Sequence, residues 1–291
     1  MTRALTMIKL PMLVLFISWE GWKETDMIKE VKANLYLLFK KREYWFALFV
    51  MLIFCCISYL SEVKQNMGED LFNIGRPSDH FVLADWKPYA DYYTVFFPIL
   101  LSVMIAFPIF DENRNKNGVF TVTRTTKKKL YYSKWIVSFL GGASIAFVPL
   151  MINIILNEIT FYNASNHRFG MAKSRLYFLN RGYALENCYK ENELLYEIGY
   201  VVLLAIFAGA CCMLVFSLCH FVRKFKIFTI LPLYVIFFVS NSLSISKFDL
   251  NDYLLCPLGD GDLVGMLIVT GVMMVVSGVI VKNILERMEY K

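Results

Sequence analysis

Few residues in this chain have the types and spacing that enzyme or metal chemistry requires. The three histidines, His80, His167 and His220, stand far apart and no HExxH pattern occurs, so no zinc site is expected. The glycines near 259–265 lack the Lys-Ser/Thr pair of a phosphate-binding loop. We therefore expect no catalytic residue, no metal and no cofactor bound by this chain.

The elements that would hold any site are six long apolar runs without a single Asp, Glu, Lys, Arg or His. Each has about 17 to 22 residues, enough to cross a bilayer core of roughly 30 Å as a helix. The runs are Tyr44–Leu60, Tyr92–Phe110, Trp135–Leu156, Ile198–Cys219, Ile227–Leu243 and Leu263–Val281. A spanning segment must satisfy its backbone internally, so the sequence predicts an all-α integral membrane protein with six transmembrane helices.

Charge divides the connectors into two classes that alternate along the chain. Connector 111–134 has seven basic and two acidic residues, whereas 61–91 has three basic and six acidic ones. Placing both termini in the cytoplasm puts 21 of the 30 Lys and Arg residues inside, as the positive-inside rule expects. The net charge of +6 then reflects the basic residues that collect on the cytoplasmic side. No nucleic-acid partner is expected.

The apolar runs contain no ionisable groups, which limits the classes of membrane protein that fit the sequence. Proton- or sodium-coupled transporters and membrane proteases usually need a carboxylate, His or Lys within the bilayer. If the chain moves a solute uphill, we expect the energy to come from a separate ATPase on the cytoplasmic side.

Two of the seven cysteines lie in connectors assigned to the exterior, namely Cys188 and Cys256. The other five lie in the apolar runs, where a thiol behaves as a small apolar side chain. An oxidising exterior permits a disulfide between Cys188 and Cys256, and two free thiols fit the sequence equally well.

The amino-terminal region predicts an amphipathic helix over 27–43. Apolar residues recur there at helical spacing among lysines, namely Ile28, Val31, Leu35 and Leu38. Such a helix can lie in the cytoplasmic interface of the membrane, and a solvated extension of the first span is the alternative. For the apolar stretch 10–19, an extension upstream of a natural start at Met27 and a segment on the membrane surface are favoured equally.

These patterns predict three regions. They are an amino-terminal extension with an interfacial helix at 1–43, a six-span transmembrane domain at 44–281 and a cytoplasmic tail at 282–291. The expected location is a bacterial plasma membrane, which the chain crosses several times.

Connector 111–134 carries the one pattern that resembles a known family. Its order is Glu112, Gly118, Thr123-Arg124, the basic run Lys127–Lys129, and Lys134 opening the next apolar run. This order resembles the segment after the second span in permease subunits of type-2 ABC exporters. The layout of residues 27–291 is similar to that family too, although Thr125-Thr126 stands where many relatives have proline.

The resemblance implies a permease subunit that forms the translocation pathway of an ATP-driven exporter. It implies a cytoplasmic ABC ATPase that binds ATP and Mg²⁺, and a second permease copy or homologue, besides membrane lipid. The residues that would form the ATPase-coupling segment are Glu112, Gly118, Arg124, Lys127 and Lys134.

The sequence leaves the cargo open among several classes. The lack of a large soluble domain and of charge within the runs favours an amphipathic substrate, such as a peptide, a drug or a lipid-like molecule. Two other functions also fit. One is a non-transporting membrane sensor or immunity partner of the same fold, and the other is an integral membrane enzyme with an unrecognised site.

Overall fold

A computed structural model places most of the chain. It describes residues 24–70, 74–84, 87–114, 126–166, 184–222, 225–243 and 249–289. These residues form α-helices and short 3-10 turns without a β-strand, so the prediction of an all-α protein is confirmed for the described part of the chain.

The α-helices differ in length but follow the apolar runs. In chain order they are α1 (Glu24–Phe39), α2 (Arg42–Gln65), α3 (Pro88–Arg114), α4 (Lys127–Asn166), α5 (Glu186–Glu191), α6 (Glu193–Leu218), α7 (Leu231–Leu243) and α8 (Asp260–Glu289). Five of them, α2, α3, α4, α6 and α8, are long and apolar enough to cross a membrane. The protein is therefore a multi-pass, membrane-embedded helical protein.

The fifth apolar run departs from the prediction of six spans. Its beginning forms a 3-10 turn, Lys226–Thr229, and α7 has only 13 residues. Such a helix rises about 20 Å, which is short of a bilayer core of roughly 30 Å. By length, the structure thus supports five of the six predicted spans, because the first residues of the fifth run form a turn and do not belong to its helix.

Helix α1 is the predicted amphipathic helix, and it ends at Phe39 rather than continuing to 43. It packs along the start of α4, where Asn34 Nδ2 donates a hydrogen bond of 2.7 Å to Ser133 Oγ. Leu38 is buried against the bundle, whereas Ile28 is 50% exposed and lies outside the packed face. At the other terminus, α8 continues through residues 282–289 of the predicted tail.

Successive connectors lie at opposite ends of the bundle. One end holds the start of α4 and the turn before α7, and we call it the basic end. The other holds residues 74–87 and 249–259, and we call it the acidic end. Contacts at the basic end join α3, α4 and the turn before α7, whereas contacts at the acidic end join residues 83, 184, 256 and 258. Which end faces the cytoplasm stays a prediction.

Helix α6 is the centre of the bundle, and almost every residue from Leu204 to Ser217 is buried. It lies against α4, where small residues allow close approach. A Cβ atom added at Gly142 would lie 2.7 Å from the Ala208 carbonyl oxygen, and one at Gly209 would lie 2.5 Å from the Phe139 ring. The glycines therefore permit the contact between α4 and α6.

Candidate functional site

Two ion pairs join the end of α3 to its neighbours at the basic end. Lys134 Nζ lies 2.5 Å from Glu112 Oε1, and Lys226 Nζ lies 2.5 Å from Asp111 Oδ2. Lys226 also stands over the Phe107 ring, 4.7 Å from its centroid. Pairs this exposed add only about 0–1 kcal/mol of stability each, so their main effect is to position α3 against α4 and the turn before α7.

The structure brings together two of the five residues that the sequence assigned to coupling. These are Glu112, on the last turn of α3, and Lys134, on the second turn of α4. Lys127 is exposed at the first residue of α4. Gly118 and Arg124 lie outside the described residues. The sequence did not predict the Asp111–Lys226 pair. Asp111 and Glu112 directly follow an apolar run, and these adjacent carboxylates could have indicated an ion pair there.

Hydroxyl groups join α4 to two further helices, α6 and α8, near the same end. Trp135 Nε1 on α4 donates to Ser277 Oγ on α8 at 3.1 Å. Ser217 Oγ on α6 donates to the Ser277 carbonyl oxygen at 3.0 Å. Because α4 takes part in both the ion pair and the hydroxyl contacts, these contacts link α3, α4, α6 and α8 at this end.

At the acidic end, two connectors fold into the bundle instead of lying over it. Residues 81–84 are at most 1% exposed, and Tyr253 is fully buried with its ring edge-on to Phe207 at 6.0 Å. The Cys256 amide donates to the Leu83 carbonyl oxygen at 2.9 Å, so the connectors pair with each other. The described residues of these two connectors therefore fill the interior at this end of the bundle.

A buried charge cluster holds the first of these connectors. Lys87 Nζ lies 2.5 Å from Glu62 Oε1, and His80 Nδ1 lies 2.8 Å from Glu62 Oε2. His80 also stacks on Phe161 at 4.0 Å, and its carbonyl oxygen accepts a hydrogen bond from Asn157 Nδ2 at 2.9 Å. We call Glu62, His80 and Lys87 the buried trio.

The sequence placed the buried trio in a charged outer connector. It therefore missed that ionisable groups lie inside the protein at this end. A usable signal was present in α2, where Cys55, Ser58 and Glu62 recur at helical spacing and all three are buried.

The disulfide that the sequence permitted is not present, because Cys188 and Cys256 are both free thiols. The paired connectors draw Cys256 into the bundle beside Leu83, whereas Cys188 lies half-buried on the short helix α5. Burial, and then the nearby Glu197 charge, raises the pKa of the Cys256 thiol well above its usual range. Cys256 is thus a packed and unreactive thiol.

No family model, curated protein or solved structure matches the chain. Among the described residues, no three His, Cys, Asp or Glu side chains come together as a metal site. The features of the chain that bear on function are therefore the two ends of the bundle and the resemblance of connector 111–134.

Proposed function

We propose that this chain is the membrane-spanning permease subunit of an ATP-driven exporter of the type-2 ABC kind. The observation that carries the proposal is the Glu112–Lys134 ion pair. In the resemblance, these two residues stand at the two ends of the ATPase-coupling segment. Their contact holds the end of α3 beside the start of α4 at the basic end, which is where the two ends of a docking segment would have to lie.

The helices on either side of this loop are suited to transmit movement. Helices α3 and α4 extend from the basic end to the acidic end and contain Pro98, Pro108 and Pro149 within them. Proline kinks a helix at a defined place. A push from an ATPase at the basic end would therefore reach the opposite end along these two helices.

The filled acidic end corresponds to one state of a transport cycle. In the proposed exporter, cargo leaves at this end, so residues 77–84 and 249–258 must separate from the bundle during release. The cycle would use ATP and Mg²⁺ bound by the partner ATPase, and a second permease copy or homologue would complete the pathway in a bacterial plasma membrane.

The first prediction tests the coupling role. Glu112→Lys and Lys134→Glu should each reduce, severalfold, the ABC ATPase that copurifies with the chain from its host membrane, because each places like charges together. Combining the two restores the opposite charges and should recover much of the yield. Quantitative mass spectrometry of the affinity-purified complex provides the measurement.

The matched control is Lys282→Glu, a charge reversal at an exposed position on α8 at the same end. It should leave the yield of ATPase unchanged. If no ATPase copurifies with the unaltered chain, the proposed function is wrong. If the ATPase copurifies but all variants retain it equally, the coupling role of the ion pair is wrong.

The second prediction concerns sidedness. The basic end should face the cytoplasm, so a cysteine introduced as Arg114→Cys should react with an impermeant maleimide only after cells are opened. Glu69→Cys, in the exposed turn after α2, should react in intact cells. Both are made in a background without reactive native thiols. Labelling of position 114 from outside would reverse the proposed topology.

A further inference from the structure

The break between α1 and α2 carries three consecutive basic residues. Lys40 and Lys41 form the turn that separates the two helices, and Arg42 is the first residue of α2. All three side chains are exposed. Within the described part of the chain, no acidic side chain forms an ion pair with any of them, although Glu43 follows directly. We call Lys40, Lys41 and Arg42 the basic cluster.

The exposed surface of α2 changes from charged to apolar directly after the basic cluster. Large apolar side chains then stay exposed along one face of the helix, namely Trp45, Phe49, Ile53, Ile57 and Leu60. Because α2 is long and apolar enough to cross a membrane, this face contacts lipid tails. The basic cluster therefore lies at the polar edge of a lipid-facing surface, at the level of the headgroups.

The aromatic side chains beside the basic cluster are of the kind that lie at a membrane surface. Tyr36 is 60% exposed and Trp45 is 45% exposed. Trp45 Nε1 donates a hydrogen bond of 2.7 Å to the Phe39 carbonyl oxygen, which joins the start of α2 to the end of α1. Lys40 Nζ lies 4.4 Å from the centroid of the Tyr36 ring. Indole and phenol rings are enriched where a bilayer meets water, so they agree with a position at the headgroups.

Contacts with α4 fix the backbone on both sides of the basic cluster. Before it, Leu38 is buried so close to Gly141 that an added Cβ there would lie 2.7 Å from Leu38 Cδ2. After it, Tyr44 is buried, and its hydroxyl group lies 3.0 Å from Ser144 Oγ. The three cationic side chains thus extend from an ordered backbone, which reduces the entropy cost of binding a ligand.

This arrangement suits an anion that carries an apolar body. Lys and Arg supply positive charge and N–H donors for a phosphate group. The apolar face of α2 directly beyond them suits acyl chains. A free phosphate ion would use only the first of these features, whereas a phospholipid uses both. A zwitterionic headgroup brings its own cation next to the basic cluster, so an anionic headgroup is favoured.

We propose that the basic cluster binds the phosphate group of an anionic phospholipid, whose acyl chains lie along α2 beside Trp45. The binding does not depend on export or on an ATPase. Helix α1 also contacts α4 through Asn34 and Ser133, the residue before Lys134. A bound lipid therefore stabilises the packing of α1 on the helix that carries the Glu112–Lys134 ion pair.

The test places the full chain in phosphatidylcholine vesicles that contain a minor fraction of phosphatidylglycerol with brominated acyl chains. Bromine quenches a nearby indole ring, and the contribution of Trp45 is the difference between each chain and the same chain with Trp45→Phe. Brominated phosphatidylglycerol should quench Trp45 as if enriched about fivefold over brominated phosphatidylcholine, the effect expected of one cationic contact with an anionic lipid surface.

Replacing all three residues of the basic cluster with Gln should remove this enrichment, because the variant keeps Trp45 and the apolar face but loses the charge. Lys41→Gln alone should lower the enrichment, whereas Lys41→Arg should retain it. The matched control is Lys282→Gln combined with Arg287→Gln, two exposed positions on α8. It should leave the enrichment beside Trp45 unchanged.

Equal quenching of the unaltered chain by the two brominated lipids would overturn the proposal. An enrichment that Lys41→Gln and the three-residue variant both retain would also overturn it, since the basic cluster would then not be the site. A third result counts against a lipid as the ligand. If sodium phosphate lowers the enrichment more than sodium chloride does at equal ionic strength, the site binds free phosphate instead.

Discussion

Replacing Glu62 with Gln is expected to lower the free energy of unfolding by about 3–5 kcal/mol, the cost of removing one partner from a buried ion pair. Gln keeps the shape of the side chain but removes the charge that Lys87 Nζ and His80 Nδ1 both contact. All three side chains are less than 10% exposed, so water cannot replace the lost interaction. The thermal midpoint of the purified protein in detergent provides the measurement.

The matched control is Glu69→Gln, an exposed substitution shortly after the same helix. It should change stability by no more than about 0.5 kcal/mol, as surface substitutions usually do. A second readout is proteolysis of connector 74–84, which should become faster in Glu62→Gln because the buried trio holds that connector. Equal midpoints and equal cleavage rates for the two variants would show that the buried trio does not stabilise the acidic end.

Substituting the glycines at the contact between α4 and α6 is expected to give the second largest loss of folding stability. In Gly142→Ala the new Cβ would lie 2.7 Å from the Ala208 carbonyl oxygen and 2.5 Å from Cys212 Sγ. A backbone atom cannot move aside without shifting the helix, so we expect a loss of about 1–3 kcal/mol. Gly209→Ala should cost a similar amount, because its Cβ would meet the ring and the carbonyl oxygen of Phe139.

A Gly→Ala substitution where no neighbouring atom is close should have the opposite effect on folding stability. Gly271 on α8 and Gly199 on α6 have no atom within 4 Å of an added Cβ. Since Ala favours a helix interior over Gly by about 1 kcal/mol, Gly271→Ala and Gly199→Ala should stabilise or be neutral. Thermal midpoints of the four variants test the contrast. A loss of the same size in all four would show that helix propensity or membrane insertion, rather than close packing, governs these positions.

These contrasts illustrate which features the sequence could reveal. Gly142, Gly209 and Gly271 look alike in sequence, as small residues within apolar runs. Only the approach of a neighbouring helix separates the first two from the third, and that approach depends on how the helices pack.

The sequence by itself determined the helical class and five of the six long apolar segments that it predicted. Each of these depends on local properties: the absence of charge over a run, the length of that run, and the composition of the residues on either side. The Glu112–Lys134 contact was also within reach, because both residues flank the same connector and therefore lie at the same end of two neighbouring helices.

Only the tertiary structure decided how the connectors at the acidic end fold. The helical spacing of Cys55, Ser58 and Glu62 indicates the buried face of α2, but nothing in the local sequence reveals that His80 and Lys87 contact Glu62 inside the protein. The pairing of Leu83 with Cys256 joins segments far apart in the chain, and it explains why Cys256 is buried beside Leu83. Burial of charge is stable only when every partner is in place, so it is a property of the assembled bundle and not of any single segment.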